Sequence, residues 1–180
     1  MFDERPSRRE FVRTASLGVT AGLAGCLDAS GGTPEEVEVA RQQWSVSIVR
    51  PGYRQSDTEL PVYSVYRTAA AARAEIDADG RIERYSDTDA GPEVATFVEE
   101  TEFDRSTLVL VRAQRVSDVQ LEIRSVERTE TGLRVEIGVD KPANGGDVGV
   151  LYSLLLRITD RRRDSNRIDV RVDSDPARRV

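Results

Sequence analysis

The residues of this chain that could do chemistry are carboxylates, hydroxyls, arginines, one lysine and one cysteine; histidine is absent. Without an imidazole there is no Ser-His-Asp triad, no Cys-His dyad and no ordinary zinc site. Lys141, the single lysine, could activate a serine such as Ser153, but it stands beside Pro142 in loop-like sequence, where a solvated ammonium is the favoured reading. Acids number 32 against 26 lysines and arginines, and no two acids stand out as the facing pair that glycoside hydrolysis requires. One stretch does concentrate oxygen ligands: Glu75-Ile76-Asp77-Ala78-Asp79-Gly80-Arg81-Ile82-Glu83. Alternating carboxylates followed by a glycine and a branched apolar residue suit a calcium loop, with Asp77, Asp79 and Glu83 as candidate ligands. Counting from Glu75, position twelve is Ser86, where such a loop needs a bidentate glutamate, so an Asp-Gly turn is favoured over calcium and no cofactor is expected. The glycine-rich Asn144-Gly145-Gly146-Asp147-Val148-Gly149 lacks the Lys-Ser/Thr of a phosphate loop and lies between strand patterns, so it reads as a plain loop. Arg161-Arg162-Arg163, bracketed by Asp160 and Asp164, reads as a solvated charged turn.

The cysteine belongs to a different chemistry. Arg8 and Arg9 are followed by Phe11 and Val12, then by a weakly apolar run of small residues from Ala15 to Ala24, then by Leu23-Ala24-Gly25-Cys26, with Cys26 seventeen residues after Arg9. That order resembles the signal peptide of a twin-arginine-exported lipoprotein. The resemblance, confined to residues 7–26, implies that Arg8, Arg9 and Phe11 are read by the twin-arginine export machinery. It further implies that residues 1–25 are removed and that Cys26 carries a lipid. Two acyl chains hold a protein on a membrane stably where one does not. The run of ten small residues is too short to cross the hydrocarbon core, which takes about 20. No later segment offers a span either, since the longest apolar run, Val148 to Leu156, stops at Arg157.

Loss of residues 1–25 would leave 155, one domain's length, and would take the net charge from −6 to −7 by removing four arginines and three acids. An acidic chain has no general attraction for nucleic acid or for anionic lipid, and nucleic acid is not expected as a partner. The balance of many acids, many arginines and a single lysine resembles proteins of salt-loving archaea. Carboxylates keep water and cations at a surface when salt is abundant, and at about 1 M salt charges are screened beyond roughly 3 Å.

Patterning then places the elements. Residues 26–40, with Gly31, Gly32 and Pro34, read as the lipidated cysteine and a flexible tether. The folded domain is expected over 41–175, with 176–180 a tail. Trp44, Val46 and Ile48 alternate with polar neighbours and predict a first strand ending at Pro51-Gly52; Val62 to Tyr66 predicts a second. Thr68 caps an alanine-rich helix running to Ile76, and Pro92 opens another running to Glu100. From Thr107 onward the pattern is strands: Leu108 to Val111, Val119 to Ile123, Leu133 to Val139 after a turn at Thr129 to Gly132, Val148 to Ile158, and Ile168 to Val172. Short turns between strands imply antiparallel pairing. The expected fold is therefore α+β and β-rich, an antiparallel sheet or small sandwich with one or two short helices inserted in the N-terminal half.

The functional expectation is subtractive. An anchor, a tether and a domain without a catalytic set point to a lipid-anchored extracytoplasmic surface protein on the outer face of the cell membrane. Its domain is expected to be a non-catalytic module binding an envelope protein or extracellular ligand. A carboxylate-dependent hydrolase acting outside the membrane is the alternative.

Overall fold

Two apolar periodicities in this chain build three layers. The computed structural model describes residues 33–53, 60–77, 91–116, 119–140, 149–162, 167–173 and 175–180. In order, the elements are β1 (Val37–Trp44), β2 (Val62–Tyr66), α1 (Ala69–Glu75), α2 (Gly91–Glu99), β3 (Ser106–Val116), β4 (Gln120–Thr129), β5 (Gly132–Asp140), β6 (Gly149–Asp160), β7 (Arg167–Val172), β8 (Asp175–Pro176) and β9 (Arg178–Arg179). One sheet has the order β1-β6-β3-β2-β9 and the other β4-β5-β7-β8.

The sheets face each other across a core that includes Val109, Val111, Leu154 and Leu156 from the first, and Leu121, Val135, Ile137 and Val170 from the second. The first sheet's other face is covered by the helices: Leu108, Leu110 and Leu155 meet Ala72, Val94, Phe97 and Val98. Because successive strand residues point to opposite faces, a strand covered on both sides must be apolar at every position. That is why β6 reads as one apolar run: Leu154 and Leu156 face the second sheet while Leu155 faces the helices. Each such side chain removed from water contributes about 1.5–3 kcal/mol.

Both helices follow their sequence signals. The Thr68 hydroxyl accepts from the Ala71 amide at 3.2 Å, and the helix ends where Ile76 turns extended and bridges Val49. In α2, Val94, Phe97 and Val98 form the buried stripe that the spacing predicts.

The sequence-derived boundaries need four corrections. The domain starts before residue 41: β1 begins at Val37, buried in the inter-sheet core, and pairs with β6 from Val37↔Asp160 onward. Glu36 and Glu38 lend this segment the look of a tether, yet both are held by arginines of the turn after β6. Second, Val46 and Ile48 do not continue a strand; they pack under the helices, with the Val46 carbonyl and the Ile48 amide both bound to the Ser153 hydroxyl. Third, residues 176–180 are not a tail. Ala177 donates its amide to Val170 O at 2.9 Å in one sheet, and Val180 donates to Tyr63 O at 3.0 Å in the other. Fourth, pairing is not uniformly antiparallel. The chain leaves β5 for the other sheet as β6 and comes back as β7, which therefore runs parallel to β5; β9 also runs parallel to β2. Gly132 pairs with Arg167 in the β5–β7 ladder, where an added Cβ would come within 1.9 Å of Arg167 O.

Contacts link the two sheets at both edges of the sandwich. At one, the Gln43 amide of β1 donates to Val119 O at 3.1 Å and accepts from the Leu121 amide at 2.7 Å, standing in for a paired strand along β4. Arg41 adds a bond from Nη1 to Leu121 O at 2.6 Å. At the other edge the chain passes from β8 to β9, tying Val172 of one sheet to Tyr63 of the other.

Candidate functional site

Polar side chains collect at two places on the helix-covered face of the first sheet. The inner one is built around Arg112, the largest fully buried side chain among the described residues. Its Nη1 donates to Tyr53 O at 3.2 Å and its Nη2 lies 3.9 Å from Glu75 Oε1, which also accepts the Ser64 hydroxyl at 2.8 Å. Burial, and then the neighbouring Glu75 charge, push the Tyr66 hydroxyl above its ordinary value. That hydroxyl is enclosed without a hydrogen bond of good geometry. This cluster fastens α1 to the sheet.

The outer place is a groove of about 590 Å³ at the end of the sheet where β1 and β3 begin and β6 finishes. Arg105, Arg157 and Arg161 line it together with Glu38, Glu100 and Glu102; Ser106, Thr159 and Asp160 form its floor. Register explains the floor. Ser106 and Thr159 are cross-strand partners on the helix side, and their hydroxyls lie 2.7 Å apart. A tight turn supplies one wall: the Arg105 and Ser106 amides both donate to Glu102 O, at 2.9 and 2.8 Å. The end of α2 supplies another, where the Thr101 hydroxyl caps Phe97 O at 2.8 Å and leaves Glu100 at the rim.

The charges differ in how firmly they are held. Arg157 is mostly covered, with its guanidinium carbon 5.2 Å from the Phe97 ring centroid, an arrangement in which the aromatic face attracts the cation. Its carboxylate partner Glu100 is 3.8 Å away and 62% exposed. Arg105 pairs with Glu102 and Arg161 with Glu38, all with exposed side chains. Asp160 is different: it is buried and gripped by Arg128 through bonds of 2.9 and 3.3 Å, with the Arg162 amide adding a third at 3.1 Å. Arg128 also reaches Glu36, so the start of β1 is locked to the end of β6.

Beside the groove, and sharing Arg105, Ser106 and Asp160 with it, a crevice of about 160 Å³ opens between the sheets. Its walls include Phe103, Leu133, Ile158 and Ile168. Arg67, Asp104 and Thr107 also line the crevice, so a polar groove adjoins a smaller recess of mixed lining.

Of the residues the sequence pointed to, Arg8, Arg9, Phe11, Leu23, Ala24, Gly25 and Cys26 lie outside the described residues, as do Lys141, Asp79 and Glu83. Asp77 is described and lies 3.7 Å from Arg50; its predicted neighbour Glu75 is engaged by Arg112 and Ser64. Among the described residues, no three carboxylate or cysteine ligands gather as a metal site would require. Ser153 is buried and bound to backbone on both sides, so it is a structural hydroxyl. Arg161 and Arg162 turn back onto Glu38 and Glu36. The groove residues escape a reading of the sequence because they come from three separate segments. Arg157, the one charge interrupting the apolar run of β6, is their visible signal.

No family model matches the chain, and no curated protein or solved structure matches it.

Proposed function

We propose that this chain is a lipid-anchored surface protein held on the extracytoplasmic face of a membrane through Cys26, and that its domain is a binding module. The order Arg8-Arg9, small apolar run, Leu23-Ala24-Gly25-Cys26 carries the reading. The position of the domain supports it too: the first strand begins eleven residues after Cys26, at Val37, and a polar groove opens at that end. Among the described residues, no helix is long and apolar enough to cross a membrane. The acid-rich, arginine-rich surface is suited to work in concentrated salt, as in proteins of salt-loving archaea.

The second reading, a hydrolase using carboxylates, is favoured by the four acids that share the groove. Each is engaged by an arginine in an ion pair, and no two of them form a facing carboxylate pair in the structure's contacts. Recognition is the better fit.

The test is cell fractionation of the producing cells. Cys26→Ser is expected to move the protein from the membrane to the medium, and continued membrane partition of that variant would overturn the anchor. Replacing Arg8 and Arg9 together by lysine is expected to block export; unchanged export would refute the twin-arginine route. Chromogenic glycoside, ester and phosphate substrates, offered to the Cys26→Ser protein in high salt, are expected to remain intact.

A further inference from the structure

We propose that the groove and the adjoining crevice form one site for an amphipathic phosphate ester. The phosphate would lie on Arg157, Arg105 and the Ser106–Thr159 hydroxyl pair, and its apolar substituent would enter the crevice. The proposal names a ligand class for the binding module and rests on the anchored reading only for where that ligand comes from.

Charge bookkeeping within the groove comes first. Three arginines face four acids, but Asp160 is already satisfied by Arg128 and the Arg162 amide from behind. Three guanidiniums and three glutamates remain; the glutamates are exposed, as are Arg105 and Arg161, and Arg157 is the one firmly held cation of the groove. Pairs of that kind contribute little, about 0–1 kcal/mol, so an incoming oxyanion can replace them at small cost. Arg157 is pre-positioned by Phe97, and a held guanidinium loses less freedom when it binds a phosphate in the two-pronged manner it favours. Glu100, in this arrangement, occupies the place of the ligand's anion.

The hydroxyl floor sharpens the choice of anion. When Ser106 and Thr159 bond to each other, one hydroxyl hydrogen is used between them and the other is left to donate upward. Two guanidiniums and a hydroxyl suit the several oxygens of a phosphate better than the two of a carboxylate. The crevice then accounts for the substituent: its lining is mixed, with Phe103, Leu133, Ile158 and Ile168 as the apolar part and Arg67, Asp104, Thr107 and Asp160 as the polar part, beside Ser106 and Arg105. Each methylene buried there would raise affinity about fourfold.

The site also lies where a membrane lipid is within reach. Glu38 lines the groove near the start of β1, and the eleven residues from Cys26 to Val37 span at most about 40 Å. A phospholipid headgroup and a soluble phosphate ester are the two sources of the same chemistry.

The experiment uses the full chain carrying Cys26→Ser in about 1 M KCl, where long-range attraction is screened and contact binding remains. Glycerol 3-phosphate, dihexanoyl phosphatidic acid and acetate are titrated with detection by NMR of the protein and of phosphorus. Expected are binding of both phosphates, dihexanoyl phosphatidic acid tighter than glycerol 3-phosphate by at least about tenfold, and acetate weaker than either. Arg157→Gln is expected to weaken phosphate binding by about tenfold or more, and Arg157→Lys, which keeps the charge and most of the stem, by less. Glu100→Gln is expected to tighten it several-fold, an effect of opposite sign that a merely structural role would not produce. Co-sedimentation with phosphatidylglycerol vesicles, and not with phosphatidylcholine vesicles, assigns the lipid source; binding of the soluble esters alone assigns the other. Absence of phosphate binding in a folded protein, equal binding of acetate, or a loss on Glu100→Gln overturns the site. None of these outcomes touches the anchor, which fractionation of the Cys26→Ser protein decides separately.

Discussion

Truncating Gln43 to alanine should open the sandwich edge at a cost that can be worked out from two bonds. The side chain accepts from the Leu121 amide at 2.7 Å and donates to Val119 O at 3.1 Å, and both of those residues are buried. Each neutral hydrogen bond contributes about 1 kcal/mol net, and a buried backbone group left unpaired costs about 1–3 kcal/mol. Water entering the space left by the amide will satisfy part of that demand, so the expected loss is about 2–4 kcal/mol. For a domain of this size each kcal/mol is worth about 2–4 °C, giving a fall in Tm on the order of 10 °C. Trp44, the only tryptophan, is the next residue along β1 and mostly buried, so its fluorescence follows urea unfolding at the site itself. Gln42→Ala is the control, since it removes one exposed bond, of 3.0 Å, to Glu93. Gln43→Glu adds a sign test. Its carboxylate can accept from Leu121 but repels the Val119 carbonyl until protonated, so its stability deficit should shrink as pH falls toward the ordinary glutamate value of about 4.3 and change no further below it. If Gln43→Ala costs no more than Gln42→Ala at an unchanged denaturant slope, the amide is not acting as a strand substitute and the reasoning fails.

Three further outcomes are expected. The Tyr66 hydroxyl titrates higher in the folded chain than in the unfolded one, so the unfolded state loses its proton first; stability should fall as pH rises above about 10, and Tyr66→Phe should reduce that slope in urea titrations. Arg112→Ala should lose about 3–5 kcal/mol in equilibrium unfolding, because it empties a buried volume and strands Glu75, whereas Arg112→Met should lose less by keeping the volume. Thr68→Ala should cost about 1 kcal/mol through the lost cap on α1, seen as a lower Tm at an unchanged far-ultraviolet spectrum.

How much of this fold is legible in the sequence depends on the length of each pattern. The β4–β5 hairpin shows period-two alternation over Val119–Ile123 and Leu133–Val139, and one buried face is enough to fix such a strand. The α1 cap at Thr68 and the α2 stripe are equally local. β8 and β9 are two residues each, too short for any periodicity, and Arg178-Arg179 gives no hint of sheet pairing. The parallel β5–β7 contact depends on β6 belonging to the other sheet, which is a property of the whole fold and of no single segment. The groove is hidden for the same reason: Ser106 and Thr159 are 53 residues apart and meet only through the β3–β6 register.

The linked edges bear on solubility. Proteins in dilute buffer keep apart partly through net charge, and concentrated salt screens that repulsion away. A long strand edge with open amides and carbonyls would then invite pairing between molecules, the first step toward fibrous aggregates. Here the Gln43 and Arg41 side chains occupy backbone groups along β4, and the C-terminal crossing leaves only two-residue strands at the other rim. Hydrogen bonds of this kind persist when charge repulsion does not, so the backbone groups they occupy are withheld from pairing between molecules in concentrated salt as in dilute buffer.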